Sequence, residues 1–112
     1  MSKKKMRLQL ATPIEMLRGA PPPEIGEHGP RQMTIGDVFV RIAQECGQRD
    51  EANAMRIWNI GSDMDRADKE YIDLTELDFE LFRNACKSGE RPNWAKVNIV
   101  KAFSEAKEVG KE

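Results

Sequence analysis

Hydrophobic and polar residues change their spacing along this chain, from alternation near the start to a helical period after residue 33, with a brief return to alternation at 71–74. Residues 6–10, MRLQL, set Met6, Leu8 and Leu10 against Arg7 and Gln9, the two-residue period of a half-buried strand. Ile14 and Met16 oppose Glu15 beyond Pro13, and Leu17 leads into RGAPPP, so a small hairpin turning near Gly19 is expected. Prolines at 21–23 predict neither helix nor ladder pairing, and EIGEHGP continues as loop to Pro30.

At Thr34 the period becomes helical. Thr34 with Asp37 three residues on has the form of a capping box, and Ile35, Val38, Phe39, Ile42, Ala43 and Cys46 follow as one apolar stripe until Gly47. Asp50 is placed to cap a second helix, whose expected core face is Ala54, Ile57, Trp58, Gly61 and Met64. A glycine inside that helix weakens it by about 1 kcal/mol relative to alanine, so Gly61 predicts the close approach of a neighbouring element. YIDL at 71–74 alternates again, with Ile72 and Leu74 on one side, and so short a strand needs a partner, for which the N-terminal hairpin is available. Thr75 with Asp78 repeats the capping device and opens a third helix with the stripe Leu77, Leu81, Phe82, Ala85 and Cys86, ended at Gly89. Pro92 suits the start of a fourth helix, with Trp94, Val97, Val100, Phe103 and Ala106 as its expected apolar face.

The pattern therefore predicts an α+β domain, mainly helical, with about four helices and a small N-terminal β-hairpin pairing with the strand at 71–74. Residues 1–5 read as a disordered basic tail, 6–106 as a single domain containing a Pro/Gly loop at 20–32, and 107–112 as a frayed C-terminal tail. One domain is what 112 residues ordinarily make. The start has no apolar stretch of signal-peptide form, and no run of about 18 apolar residues offers a membrane span. A soluble cytosolic protein without membrane contact is expected.

Charge narrows the possible functions. Eighteen basic against nineteen acidic residues leave a net charge of -1, whereas a protein that coats nucleic acid is ordinarily basic as a whole. Cys46 and Cys86 fall on apolar stripes and read as buried free thiols; with one histidine in the chain they cannot complete an ordinary zinc site. That histidine, His28, lies between glycines without an evident catalytic neighbour. The acidic residues Asp63, Asp65, Asp68 and Glu70 lack the spacing and turn glycine of a calcium loop and read as a solvated helix end. Neither an enzyme nor a cofactor is expected.

Two surfaces remain. Trp58 fits the core face of its helix, while Trp94, in the first turn of the fourth helix, stands beside Arg91, Lys96, Arg83 and Lys87 as the candidate contact with a protein partner, a further copy of the chain included. The alternative is nucleic acid, with helices three and four as a helix-turn-helix. Asn93, Lys96 and Asn98 would then face base edges, and Lys3, Lys4 and Lys5 of the SKKK start would lie on phosphates.

TIGDV at 34–38, WNIGSDMDRA at 58–67 and IDLTELD at 72–78, in this order and spacing, resemble a family of small uncharacterised proteins of tailed phages and prophages. The likeness covers about half of the chain, and the APPPEIGEHGPRQ loop and Lys-rich start depart from it. The resemblance implies a phage or prophage origin and expression in the host cytoplasm, with association to the virion as one outcome. The expected role is a non-enzymatic accessory protein acting by contact with a viral or host protein.

Overall fold

In the computed structural model, residues 4–17, 24–25 and 31–109 are described. Strand β1 (Lys5–Gln9) is followed by β2 (Glu24–Ile25), β3 (Arg31–Gln32), helices α1 (Ile35–Glu45) and α2 (Glu51–Arg66), then β4 (Tyr71–Thr75), α3 (Glu76–Lys87), α4 (Asn93–Ser104) and β5 (Lys107–Val109). The architecture is mainly helical α+β, with four helices among the described residues laid against a three-stranded antiparallel sheet of order β4-β1-β5.

The sheet keeps the alternation of the sequence. Met6 pairs with Leu74 and Leu8 with Ile72, so these four side chains share the inner face, where Leu8 and Leu74 are buried. Lys5, Arg7 and Gln9 share the outer face with Thr75, Asp73 and Tyr71 across β4, and with Val109 and Lys107 across β5.

The expected N-terminal hairpin does not form. Both edges of β1 are occupied, one by β4 and the other by β5, so residues 14–16 have no edge to join. They run instead beside the entry to α1. Ile35 N–H donates to Thr12 C=O at 2.9 Å, Gly36 N–H to Leu10 C=O at 2.9 Å and Ile14 N–H to Met33 C=O at 3.2 Å, and Ile14 enters the core. Gly19 and the three prolines lie outside the described residues. Two termini also differ from expectation. Lys5 belongs to β1 rather than to a basic tail, and Lys107–Val109 is not frayed, because pairing with β1 satisfies its backbone. Within the 20–32 loop, Glu24–Ile25 pairs with Arg31–Gln32, a short ladder open to residues that retain their amides beyond the prolines.

The caps stand where the sequence puts them. Asp37 Oδ2 accepts from the Thr34 amide at 2.8 Å, Asp50 accepts from Ala52 N–H at 2.8 Å, and Thr75 Oγ1 accepts from Asp78 N–H at 3.2 Å. Gly89 ends α3 at a φ of 81°, where a side chain would be strained. Gly61 marks the closest approach of α2 to α1: a Cβ there would stand 2.3 Å from the Ala43 Cβ, so the glycine is what allows the helices to touch.

The core is centred on aromatic rings. Phe39 of α1 meets Phe82 of α3 edge-on at 5.4 Å, and Phe103 of α4 contacts Phe39, Phe79 and Phe82 at 5.6, 5.3 and 6.4 Å. α1 buries Ile35, Val38, Phe39, Ile42 and Ala43 as read, with Cys46 only half-buried. The other helices are rotated from the expected faces. α2 buries Ile60 with Ile57, Gly61 and Met64, leaving Ala54 and Trp58 exposed. α3 buries Phe79 instead of Leu77, because the ring reaches Phe103. α4 buries Ala95, Asn98 and Ile99 and turns Val97 and Val100 outward.

Asn98 sets that last rotation. Its Oδ1 accepts from Glu15 N–H at 2.9 Å, and its Nδ2 donates to Glu15 C=O at 3.1 Å and Trp94 C=O at 2.6 Å. One side-chain amide thus serves the backbone of an irregular segment in place of a strand.

Candidate interaction surface

Most of the side chains read as contact residues are committed to the fold. Trp94 is half-buried and packs against the core. Arg91 Nη1 donates to Cys86 C=O at 3.0 Å and to Ser88 C=O, closing the carbonyl end of α3. Arg83 pairs with Glu80 at 3.5 Å on its own helix. Lys87 and Lys96 are exposed, at the last turn of α3 and in the first turns of α4, and Asn93 is the exposed first residue of α4.

The helix-turn-helix expectation fails at Asn98. Its amide is buried and fully engaged with Glu15 and Trp94, so it cannot reach a base. Of the basic start, Lys3 lies outside the described residues and Lys4 pairs with Glu108 at 3.8 Å. Lys5 stands on the outer face of the sheet.

Two surfaces emerge that the chain pattern did not identify. On α2, Met55 and Trp58, one turn apart, are 63% and 56% exposed. Beside Trp58 lies a shallow hollow of about 110 Å³, lined by Val40, Gln44, Gly61, Ser62 and Asp65. It opens where α1 and α2 approach over a residue without a side chain. The tryptophan shares a side of α2 with Gly61, but Ile57 and Ile60 fill the space above the core and leave the larger ring outside.

The second surface is the outer face of the sheet. Arg7 grips Asp73 with two bonds, Nε to Oδ1 at 2.8 Å and Nη2 to Oδ2 at 3.1 Å, and its guanidinium lies 3.9 Å from the centre of the Tyr71 ring. Lys69 Nζ is 5.7 Å from the same ring. The Arg7 hydrogen bonds hold the Asp73 carboxyl below the usual carboxylate range against the opposing effect of desolvation, and the charges of Arg7, Lys5 and Lys69 add to the shift. Sequence alternation marks Arg7 as outward-facing, but only the register brings Tyr71, Asp73 and Lys107 beside it.

Between α2 and β4 runs a cleft of about 360 Å³ whose polar lining includes Lys5, Arg56, Asn59, Asp63 and Asp78. Arg56 and Asp78 pair across it, tying α2 to the first turn of α3. No group of three or more His, Cys, Asp or Glu is placed to hold a metal ion among the described residues, and His28 lies outside them. Burial pushes the Cys86 thiol up to about 12, so it stays protonated near neutral pH and is a packing residue. Cys46 Sγ approaches Ser88 Oγ at 3.3 Å and Ala85 C=O at 3.5 Å, which joins the end of α1 to the end of α3.

Fold and surface together define a small mainly helical α+β domain with an exposed aromatic helix face and a basic sheet face. No helix among the described residues is long and apolar enough to cross a membrane. Comparison with protein-family models, with curated proteins and with solved structures finds no match to the chain.

Proposed function

We propose that this is a non-enzymatic accessory protein of a phage or prophage, acting in the host cytoplasm or on the virion by stoichiometric contact with another protein through the Met55–Trp58 face of α2. One observation carries the choice of surface: Trp58 is 56% exposed beside the still more exposed Met55, while all four phenylalanines join the aromatic cluster. Tryptophan and methionine are enriched where proteins meet, and an indole next to a shallow hollow is the form a binding anchor takes. The phage origin is supported by the TIGDV, WNIGSDMDRA and IDLTELD segments and their likeness to phage proteins. Trp94, the earlier candidate, is less suitable because much of its ring already packs on the core.

The test is quantitative affinity capture from lysate of the producing host, comparing the wild-type chain with Trp58→Ser, alongside gel filtration with light scattering. A partner held in fixed ratio by the wild type and lost by a folded Trp58→Ser variant is the expected result. A monomeric wild type whose captured proteins do not change with Trp58→Ser would overturn the reading.

A further inference from the structure

We propose that the outer face of the β4-β1-β5 sheet is a platform for single-stranded nucleic acid, with Lys5, Arg7, Lys69 and Lys107 facing phosphates and the Arg7–Tyr71 pair offering a surface on which an unpaired base stacks. This goes beyond the protein contact assigned to α2 and uses none of its residues.

The charge of this face favours a polyanion. The chain as a whole is at -1, yet register sets Lys5, Arg7 and Lys107 on one pleated face with Asp73 as the carboxylate among them, and Lys69 stands at its edge near the Tyr71 ring, while Lys5 also borders the cleft that holds Asp63 and Asp78. Arg7 and Lys107 are direct cross-strand partners, and like charges set opposite each other are unfavourable without an anion to share. Asp73 binds Arg7 directly and its charge is also felt by Lys5 and Lys69, so one carboxylate is shared among three cations, and Lys5, Lys69 and Lys107, all of them exposed, keep positive charge that attracts something negative. A repeating phosphate backbone matches cations spread over β1, β5 and the turn that leads into β4 better than a single small anion does.

The shape of this face favours an unpaired base. Asp73 holds the Arg7 guanidinium in a fixed orientation by two bonds, over a tyrosine that is only half-buried. Guanidinium planes and aromatic rings on a sheet are the surfaces on which splayed bases stack in single-strand recognition. A duplex, with its bases already stacked, would engage the lysines but gain nothing from that pair.

The experiment is fluorescence anisotropy of the full chain with a labelled oligothymidylate of about 20 nucleotides, repeated with the matching duplex, from about 20 to 200 mM salt. Binding of the single strand in the range of about 1–100 μM is expected, with affinity falling as salt rises. Lys5→Ala with Lys107→Ala should flatten the salt dependence by about 1.4 in the log-log slope, and Tyr71→Leu should weaken single-strand binding by about fivefold or more. Arg41→Ala with Arg49→Ala, which removes two cations elsewhere, should leave binding unchanged. Circular dichroism checks that each variant is folded. The proposal is overturned by the absence of single-strand binding at about 50 μM protein in low salt. A duplex bound as tightly as the single strand, together with no effect of Tyr71→Leu, overturns it as well. So does binding lost on Lys87→Ala with Lys96→Ala but kept on Lys5→Ala with Lys107→Ala, since that moves the site to α3 and α4.

Discussion

Helices α1 and α4 touch the same aromatic cluster, Phe39 of one meeting Phe103 of the other at 5.6 Å, but they are fastened to it in different ways. α1 has one apolar side and one polar side. Ile35, Val38, Phe39, Ile42 and Ala43 are buried while Arg41, Gln44 and Glu45 face water. α4 is apolar nearly all round, carrying Trp94, Ala95, Val97, Ile99, Val100, Ala102 and Phe103 in twelve residues. Hydrophobicity alone gives α1 a single orientation and gives α4 at least two. Between those two, a polar residue decides: with Asn98 turned inward, Glu15 gains partners for its backbone N–H and C=O. Burial provides the attachment of both helices, but in α4 hydrogen bonding provides the direction.

The largest effect separating the two modes is expected at Phe39. It is fully buried, and Phe39→Ala removes a ring that contacts both α3 and α4, so a loss of about 3–5 kcal/mol in urea-denaturation stability should follow. A loss below about 1 kcal/mol would show that α1 is not anchored by its stripe. A smaller effect is expected from Asn98→Ala, about 1–3 kcal/mol, because the part-buried N–H and C=O of Glu15 lose their partner. Its distinctive signature is local. The Glu15 amide should lose hydrogen-exchange protection ahead of the amides of α1, whereas equal loss in both places would mean that Asn98 contributes to packing alone.

The same contrast explains what could be read along the chain. The α1 stripe, the Thr34, Asp50 and Thr75 caps, the alternation of β1 and the meaning of Gly61 were legible because each is decided by neighbours in sequence or by one steric fact. Strand β5 was not, since three residues are too few to show a period and its pairing with Lys5–Arg7 spans nearly the whole chain. The faces of α2 and α3 depart from the spacing where two apolar residues compete for one place, as Trp58 does with Ile60 and Leu77 with Phe79. The basic sheet face was legible only in pieces. Lys5 and Arg7 can be seen in the alternating strand, but Asp73, Tyr71 and Lys107 join them through register, which periodicity does not specify between distant strands. The inward turn of Asn98 is hidden from the sequence as well: its place near the start of α4 suits a base contact in a helix-turn-helix, and the Glu15 backbone that engages it is 83 residues away.

The smallest effect is the most pointed test of α4. Val97 and Val100 lie on the face that hydrophobic spacing favours, yet they are 52% and 66% exposed, while Ile99, the immediate neighbour of Val100, is buried at 5%. Val97→Ser and Val100→Ser remove little packing, and serine is close to valine in helix propensity, so each should change stability by no more than about 0.5 kcal/mol. Ile99→Ser deletes a buried side chain and sets a hydroxyl beside the core, which should cost several times as much. If thermal and urea unfolding reversed that order, α4 would be turned by roughly 100° about its axis, the angle of one residue. Asn98 would then leave the core together with Ile99, and Glu15 would lose the partner that sets the helix's orientation.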